Sequence, residues 1–139
     1  MKTKLVMWFL RLNMIGVVGL LQAQEVFKDN NTLPLNDVAS WVGGAVPGST
    51  NSAVWDATVL GENTVNIGGP LIWDGLRIAN PNGAVTINGT DRLTLDGGAA
   101  IDVDLSAATR DLTVNTPVTL SGSPVLEVNA NRTLSFNDA

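Results

Sequence analysis

Hydrophobic and polar residues alternate along most of the chain after residue 64. Nine triplets place one polar residue between two apolar ones: Val65-Asn66-Ile67, Leu76-Arg77-Ile78, Val85-Thr86-Ile87, Leu93-Thr94-Leu95, Ile101-Asp102-Val103, Leu112-Thr113-Val114, Val118-Thr119-Leu120, Leu126-Glu127-Val128 and Leu134-Ser135-Phe136. Side chains in an extended strand point alternately to opposite faces, so each triplet can bury its outer residues and expose the central one. The pattern predicts short strands with one buried face.

The spacing of the triplets indicates how the strands are arranged. The triplets follow one another closely and at similar intervals along the chain. Corner-forming residues lie between them, as in Gly68-Gly69-Pro70, Asn88-Gly89 and Gly122-Ser123-Pro124. Three such strands per coil give a repeat of about 25 residues, within the range of solenoid proteins. We expect an all-β fold, a single-stranded right-handed parallel β-helix, with a β-sandwich as the alternative.

The segment from Met1 to Ala23 is typical of a signal peptide. Lys2 and Lys4 precede an apolar stretch, and the small residue Ala23 lies where a peptidase would cleave. Arg11 interrupts the apolar stretch, and a charge at the centre of a spanning helix is costly, so we expect no permanent membrane span. An uncleaved signal anchor is the alternative. Cleavage predicts a secreted, extracellular or cell-surface protein.

The remaining chain divides at about Gly61. Residues 24–60 contain turn signals such as Asn30-Asn31 and Pro47-Gly48 and no sustained period, although Ala53-Val54-Trp55 is a candidate strand. We therefore assign 1–23 to the signal peptide, 24–60 to an N-terminal lead-in or cap region, and 61–139 to the β-helix repeat region.

Composition excludes several chemistries. The chain has no His and no Cys, so it lacks the usual zinc ligands, the Ser-His-Asp and Cys-His nucleophiles, and disulfides. Its formal net charge is −5, and removing residues 1–23 leaves five basic against thirteen acidic residues, or −8. An acidic chain is unsuited to nucleic acid, whose phosphates require Lys and Arg.

Several segments resemble the bacterial autotransporter-associated β-strand repeat family. They are Gly75 to Ile87 (GLRIANPNGAVTI), Ile101 to Val114 (IDVDLSAATRDLTV), Val118-Thr119-Leu120, Asn131-Arg132-Thr133-Leu134 and, upstream, Trp41-Val42-Gly43-Gly44, Pro47-Gly48 and Ala53-Val54-Trp55-Asp56. The resemblance implies a secreted or surface-displayed passenger with a β-helical stalk and a structural or adhesive role. It supplies no catalytic residues. Members of the family are usually long, so we expect residues 1–139 to be a truncated product or the start of a longer protein.

Few side chains are candidates for a site. Asp102 and Asp104 alternate on one strand and offer oxygen ligands for Ca²⁺, but a solvated acidic face that protects a strand is the favoured interpretation. A second group suits proton transfer in a polysaccharide lyase or hydrolase, although the linear spacing does not fix the separation of its members: Asp74, Asp91, Arg92 and Asp96. We assign no catalytic, cofactor-binding or metal-binding residue and expect no enzymatic activity and no cofactor.

Trp41, Trp55 and Trp73 have two interpretations. They can cover the open end of a β-helix core, which is favoured, or form a platform that stacks against a sugar. The second interpretation keeps a carbohydrate-binding module open as an alternative function. The ionisable group that contains Asp74 and Arg92 keeps a second alternative open, the N-terminal part of a β-helical polysaccharide-degrading enzyme. A cell-surface or glycan ligand is therefore the expected partner.

The last apolar pairs predict a second kind of partner. Leu126, Val128, Leu134 and Phe136 form the final inward positions of the expected solenoid. An open coil exposes apolar side chains and unpaired backbone groups, which recruit further strands. We expect self-association through this C-terminal coil.

Overall fold

The computed structural model describes residues 23–98 and 100–137. These residues form twelve short strands and one 3₁₀ helix, Val38–Ser40. The strands are β1 (Gln24–Phe27), β2 (Asn51–Trp55), β3 (Asn63–Asn66), β4 (Leu71–Trp73), β5 (Gly75–Ile78), β6 (Val85–Asn88), β7 (Leu93–Leu95), β8 (Val103–Leu105), β9 (Leu112–Asn115), β10 (Val118–Leu120), β11 (Leu126–Val128) and β12 (Leu134–Phe136).

The strands stack into three parallel sheets. Sheet 1 has the order β1-β2-β5-β8-β11, sheet 2 has β3-β6-β9-β12, and sheet 3 has β4-β7-β10. Consecutive strands thus enter different sheets, apart from β1 and β2, and each strand pairs with the equivalent strand of the next coil. This is a β-solenoid of about five turns, so the β-helix prediction is confirmed and the β-sandwich alternative is wrong.

The coil length agrees with the predicted repeat of about 25 residues. Asn88 and Asn115, on neighbouring coils, are 27 positions apart, and Asn115 and Asn137 are 22 positions apart. In the complete coil from β5 to β7, six side chains point inward, each at most 1% exposed: Leu76, Ile78, Val85, Ile87, Leu93 and Leu95. Each buried aliphatic side chain contributes roughly 1.5–3 kcal/mol, and the continuous stack lets neighbouring coils share that burial.

Two strand assignments differ from the sequence pattern. The triplet at 101–103 is not a strand; β8 begins at Val103, because Asp102 turns the corner into it. Strand β4 does not show the alternation of apolar and polar residues, because its outward residue, Ile72, is apolar and 52% exposed. β1 and β2 lie within 24–60 and pair with the same sheet as β5, so the stacking continues across Gly61.

The two ends of the solenoid differ. Residues 28–47 cross the N-terminal end, where Leu35 N–H donates to the Asn66 carbonyl oxygen (2.9 Å) and Leu35 is fully buried. At the other end, Leu126 and Val128 of β11 are 43% and 42% exposed. The core is therefore covered at one end and partly exposed at the other.

The described residues contain no helix that is long and apolar enough to cross a membrane. Residues 1–22 of the expected signal peptide lie outside the described part of the chain.

Candidate functional site

The three tryptophans lie inside the solenoid. Trp41 is 2% exposed, and Trp55 and Trp73 are completely buried. The ring of Trp41 packs edge-on against both of the others, with centroid distances of 5.7 Å in each case. Burial confirms that they cover the core, and it shows that the sugar-stacking platform is wrong, because a ligand cannot reach their faces.

A buried lysine organises the loop beside this cluster. Lys28 is completely buried, and its ammonium donates to the Asp29 carbonyl oxygen (3.0 Å), the Asn31 carbonyl oxygen (2.9 Å) and Asn31 Oδ1 (2.8 Å). Burial lowers the pKa of Lys28 to about 8, and the charge of Asp29 partly opposes that effect. Asn63 continues the network, since its Nδ2 donates to the Asn31 carbonyl oxygen and its Oδ1 accepts from Trp55 Nε1. The three acceptors occupy the donors of an ammonium, which gives this lysine a structural role.

The outward face of sheet 1 carries a row of charges. Arg77 forms an ion pair with Glu25 on β1 and a second one with Asp104 on β8, where Nε and Oδ2 are 3.4 Å apart. Asp104 also accepts from the Ser106 backbone N–H at 2.8 Å. The Asp104 carboxylate is therefore fixed by the Arg77 guanidinium and by the backbone of the turn that follows β8.

Asp102 does not share that face, because it is only 2% exposed. Its Oδ2 accepts from the Val125 N–H at 2.7 Å. The structure thus contradicts the solvated acidic face expected for Asp102 and Asp104, since the first is buried at a corner and the second is ion-paired.

The residues considered for proton transfer are divided between two ends of β7. Arg92 precedes the strand and Asp96 follows it, which separates their backbones by about 13 Å. Arg92 donates to Thr119 Oγ1 at 2.6 Å, and the Asp91 carbonyl oxygen accepts from Thr116. Asp74 lies at the Asp96 end and is buried. The four side chains do not converge on one reaction centre.

The outward face of sheet 2 presents a regular polar array that the sequence analysis did not identify. We call it the Thr–Asn face. Parallel pairing stacks its members in two columns: Thr64, Thr86, Thr113 and Ser135, and Asn66, Asn88, Asn115 and Asn137. Members of a column repeat at the interstrand distance of about 4.7–4.9 Å. The result is an uncharged surface of hydroxyl and amide groups.

Side-chain hydrogen bonds order the asparagine column. Asn137 Nδ2 donates to Asn115 Oδ1 (2.7 Å), and Asn115 Nδ2 donates to Asn88 Oδ1 (2.8 Å). The available sequence signal was an asparagine directly after an apolar residue, repeated once per coil. The sequence pattern places Asn66 at the centre of a triplet and Asn88 at a corner, and it does not show the column, because the alignment of the asparagines depends on the coil register.

No three acidic, His or Cys side chains gather into a metal-binding group within residues 23–98 and 100–137. Comparison with protein-family models, with curated proteins and with solved structures finds no match for the chain. The resemblance to autotransporter-associated repeats therefore stays a prediction.

Proposed function

We propose that the chain belongs to a secreted or surface-displayed β-helical passenger with a structural or adhesive role and no catalytic activity of its own. The observation that carries this proposal is the Thr–Asn face. A rigid, uncharged array of donors and acceptors repeated at each coil suits an extended polymer with repeating hydroxyl groups, such as a glycan of a cell surface. Rigid support matters because a preorganised surface loses little entropy when it binds.

The proposed ligand surface is tested by binding to insoluble polysaccharides. In a sedimentation assay with chitin, cellulose and peptidoglycan, we expect at least one to retain the chain. Replacing Thr86 and Thr113 together by Val keeps the strand shape but removes two hydroxyl groups, so retention should fall at least tenfold. The matched control replaces Thr94 and Thr119, which stack on the outward face of sheet 3, and should leave retention unchanged.

Two results would contradict the binding role. Retention that is equal in both double variants places the ligand elsewhere on the surface. The absence of retention on all three polysaccharides favours a purely structural stalk.

The non-catalytic part of the proposal has its own assay. Incubation with pectin or other soluble polysaccharides should produce neither new reducing ends nor unsaturated products. Product formation that disappears when Arg92 or Asp96 is replaced would establish a polysaccharide-degrading enzyme instead.

Export is proposed from the N-terminal segment. Lys2 and Lys4, followed by an apolar stretch and Ala23, predict that mature protein begins at Gln24. N-terminal sequencing of protein recovered outside the cytoplasm should read Gln24-Glu25-Val26. Exported protein that begins with Met1 would contradict cleavage.

We also propose self-association through the coil formed by β11 and β12. Leu126 and Val128 are 43% and 42% exposed there, and edge strands with apolar side chains recruit other strands. Light scattering should show association that increases with protein concentration and with salt, because salt screens the negative charge. Leu134→Lys and Phe136→Lys together should reduce it, whereas Leu60→Lys, at a 66% exposed site in the N-terminal half, should not. A monomer at high salt that is insensitive to both changes would refute this part.

A further inference from the structure

The chain contains two Asn-Gly dipeptides, Asn82-Gly83 and Asn88-Gly89. The backbone nitrogen that follows an asparagine can attack its side-chain amide, and glycine exposes this nitrogen best because it has no Cβ. Asn82-Gly83 precedes β6, whereas Asn88 is the last residue of that strand. Since the two dipeptides are chemically identical, a large difference in their reactivity has to come from the fold.

Asn88 is fixed in both its backbone and its side chain. Its strand, β6, pairs with β3 and β9, and its carbonyl oxygen accepts from the Ile67 N–H at 2.8 Å. Its Oδ1 accepts from Asn115 Nδ2 at 2.8 Å within the asparagine column. Closing a ring onto the Gly89 nitrogen requires the side chain and the next peptide group to rotate. The fold opposes this reaction, because the rotation breaks bonds that hold three coils together.

Asn82 lies in the corner between β5 and β6 and is much less constrained. Its side chain is exposed and forms no hydrogen bond with any residue that the structure describes. Its backbone N–H donates to the Val59 carbonyl oxygen at 2.9 Å, and its carbonyl oxygen accepts from the exposed Arg110 side chain at 3.2 Å. The Asn82 amide can therefore turn toward the Gly83 nitrogen without breaking a strand pairing or a side-chain hydrogen bond.

We propose that Asn82 is a self-modification site, at which the folded chain forms isoaspartate while Asn88 stays intact. The Gly83 nitrogen loses its proton to hydroxide and attacks Asn82 Cγ, which forms a new C–N bond. The Cγ–Nδ2 bond then breaks, and Nδ2 takes a proton from water and leaves as ammonia. Water opens the resulting cyclic imide in one of two ways. Breaking the new bond gives aspartate, and breaking the original peptide bond gives isoaspartate, whose main chain runs through Cγ.

The two products differ in their effect on the stacked coils. Isoaspartate lengthens the main chain by one methylene group where Gly83 is already crowded, since a Cβ placed on it would lie 2.1 Å from the Glu62 backbone nitrogen. The extra atom also displaces the backbone that hydrogen-bonds to Val59. Aspartate leaves the main chain unchanged and adds an exposed carboxylate near Arg110. Only isoaspartate should therefore loosen this corner of the solenoid.

Ageing of the full chain at mildly alkaline pH tests the selectivity. Each conversion adds one mass unit to a peptide, and an isoaspartyl methyltransferase labels the isoaspartate. In the folded chain Asn82 should convert at least tenfold faster than Asn88, whereas in guanidinium chloride the two should convert at similar rates. Asn82→Ser should abolish the label in the folded chain, and the matched control, Asn88→Ser, should leave it unchanged. Equal conversion of both residues in the folded chain, or an Asn82 that stays intact, overturns the proposal.

Denaturant unfolding tests the structural effect. Aged chain rich in isoaspartate at residue 82 should unfold at a lower guanidinium concentration than Asn82→Asp, which has the same charge and an ordinary backbone. The Asn82→Asp variant should unfold close to the parent chain. An isoaspartate form that is as stable as Asn82→Asp would refute the loosening of the corner.

Discussion

The hydrogen bonding of the tryptophan cluster yields a sharp prediction about stability. Trp55 Nε1 donates to Asn63 Oδ1 at 2.9 Å, whereas Trp73 Nε1 is buried and has no acceptor within the described residues. Replacing either residue by Phe removes the indole N–H and leaves an aromatic ring in the core. The two substitutions therefore make the same chemical change against different hydrogen-bond environments.

We expect Trp55→Phe to lower the free energy of unfolding and Trp73→Phe to leave it unchanged or raise it. The smaller ring costs about 1 kcal/mol in packing at either position. Trp55→Phe also leaves the buried Asn63 oxygen unsatisfied, which adds about 1–3 kcal/mol, so a loss of about 2–4 kcal/mol results. Trp73→Phe removes an unsatisfied donor that already costs about 1–3 kcal/mol, so the protein should be unchanged or more stable by up to about 2 kcal/mol. The two variants should differ by at least about 2 kcal/mol.

Urea unfolding followed by far-ultraviolet circular dichroism measures this difference without relying on the fluorophores that are removed. Equal slopes against urea concentration show that the unfolded states are comparable. Trp41→Phe is a third arm, because Trp41 Nε1 donates to the Leu35 carbonyl oxygen at 2.8 Å, and it should resemble Trp55→Phe. If Trp73→Phe is destabilised as much as Trp55→Phe, the reasoning fails, and a buried water that accepts from Trp73 becomes the explanation.

Three other features give further expectations. The pKa of Lys28 is 10.5 in the unfolded chain and about 8 in the folded chain, so between pH 8 and pH 10.5 the unfolded chain binds more protons. The free energy of unfolding should therefore rise with pH across this range, by about 1–3 kcal/mol. Because the chain has no His, Cys or Tyr and residues 24–139 contain no Lys other than Lys28, urea titrations of residues 24–139 leave Lys28 and the α-amino group to titrate in this range, and Lys28→Met should abolish the Lys28 contribution. Asn115→Ala breaks two side-chain hydrogen bonds of the asparagine column and should cost about 1–3 kcal/mol in urea unfolding, whereas Asn137→Ala, at its end, should cost less. Glu127 and Asp104 are register partners with like charge, so Glu127→Lys should raise the free energy of unfolding by about 0.5–1 kcal/mol; a decrease would contradict the repulsion.

Strand positions were largely predictable because inward and outward side chains differ in polarity. Apart from Ile101-Asp102-Val103, every triplet shares at least two of its residues with a strand, and the triplet spacing predicted the coil length. The exceptions have specific causes. Ile72 is apolar yet faces outward, so β4 lacks alternation, and Asp102 is needed at a corner, so the triplet that contains it overlaps β8 only at Val103.

The candidate sites were less predictable, because each depends on which residues the coils bring into register. The Thr–Asn face joins residues that are a full coil apart in sequence, and only the strand pairing shows that they form two columns. Trp41 and Trp73 are also distant in sequence, yet their rings are in contact. Linear spacing contains no signal for such proximity.

The sequence by itself determined the all-β class, the approximate repeat and the exclusion of His- and Cys-dependent chemistry, since these follow from local alternation and composition. Tertiary structure alone decided that Asp102 is buried while Asp104 is ion-paired. It also decided that the backbone after β7 lies against other coils, with Gly97 close to the Ser121 carbonyl oxygen and Gly98 close to the Asp74 carboxylate. The physical reason is that coils differ in length, as the 27 positions from Asn88 to Asn115 and the 22 from Asn115 to Asn137 show. A longer connection between two strands therefore resets which side chains become neighbours.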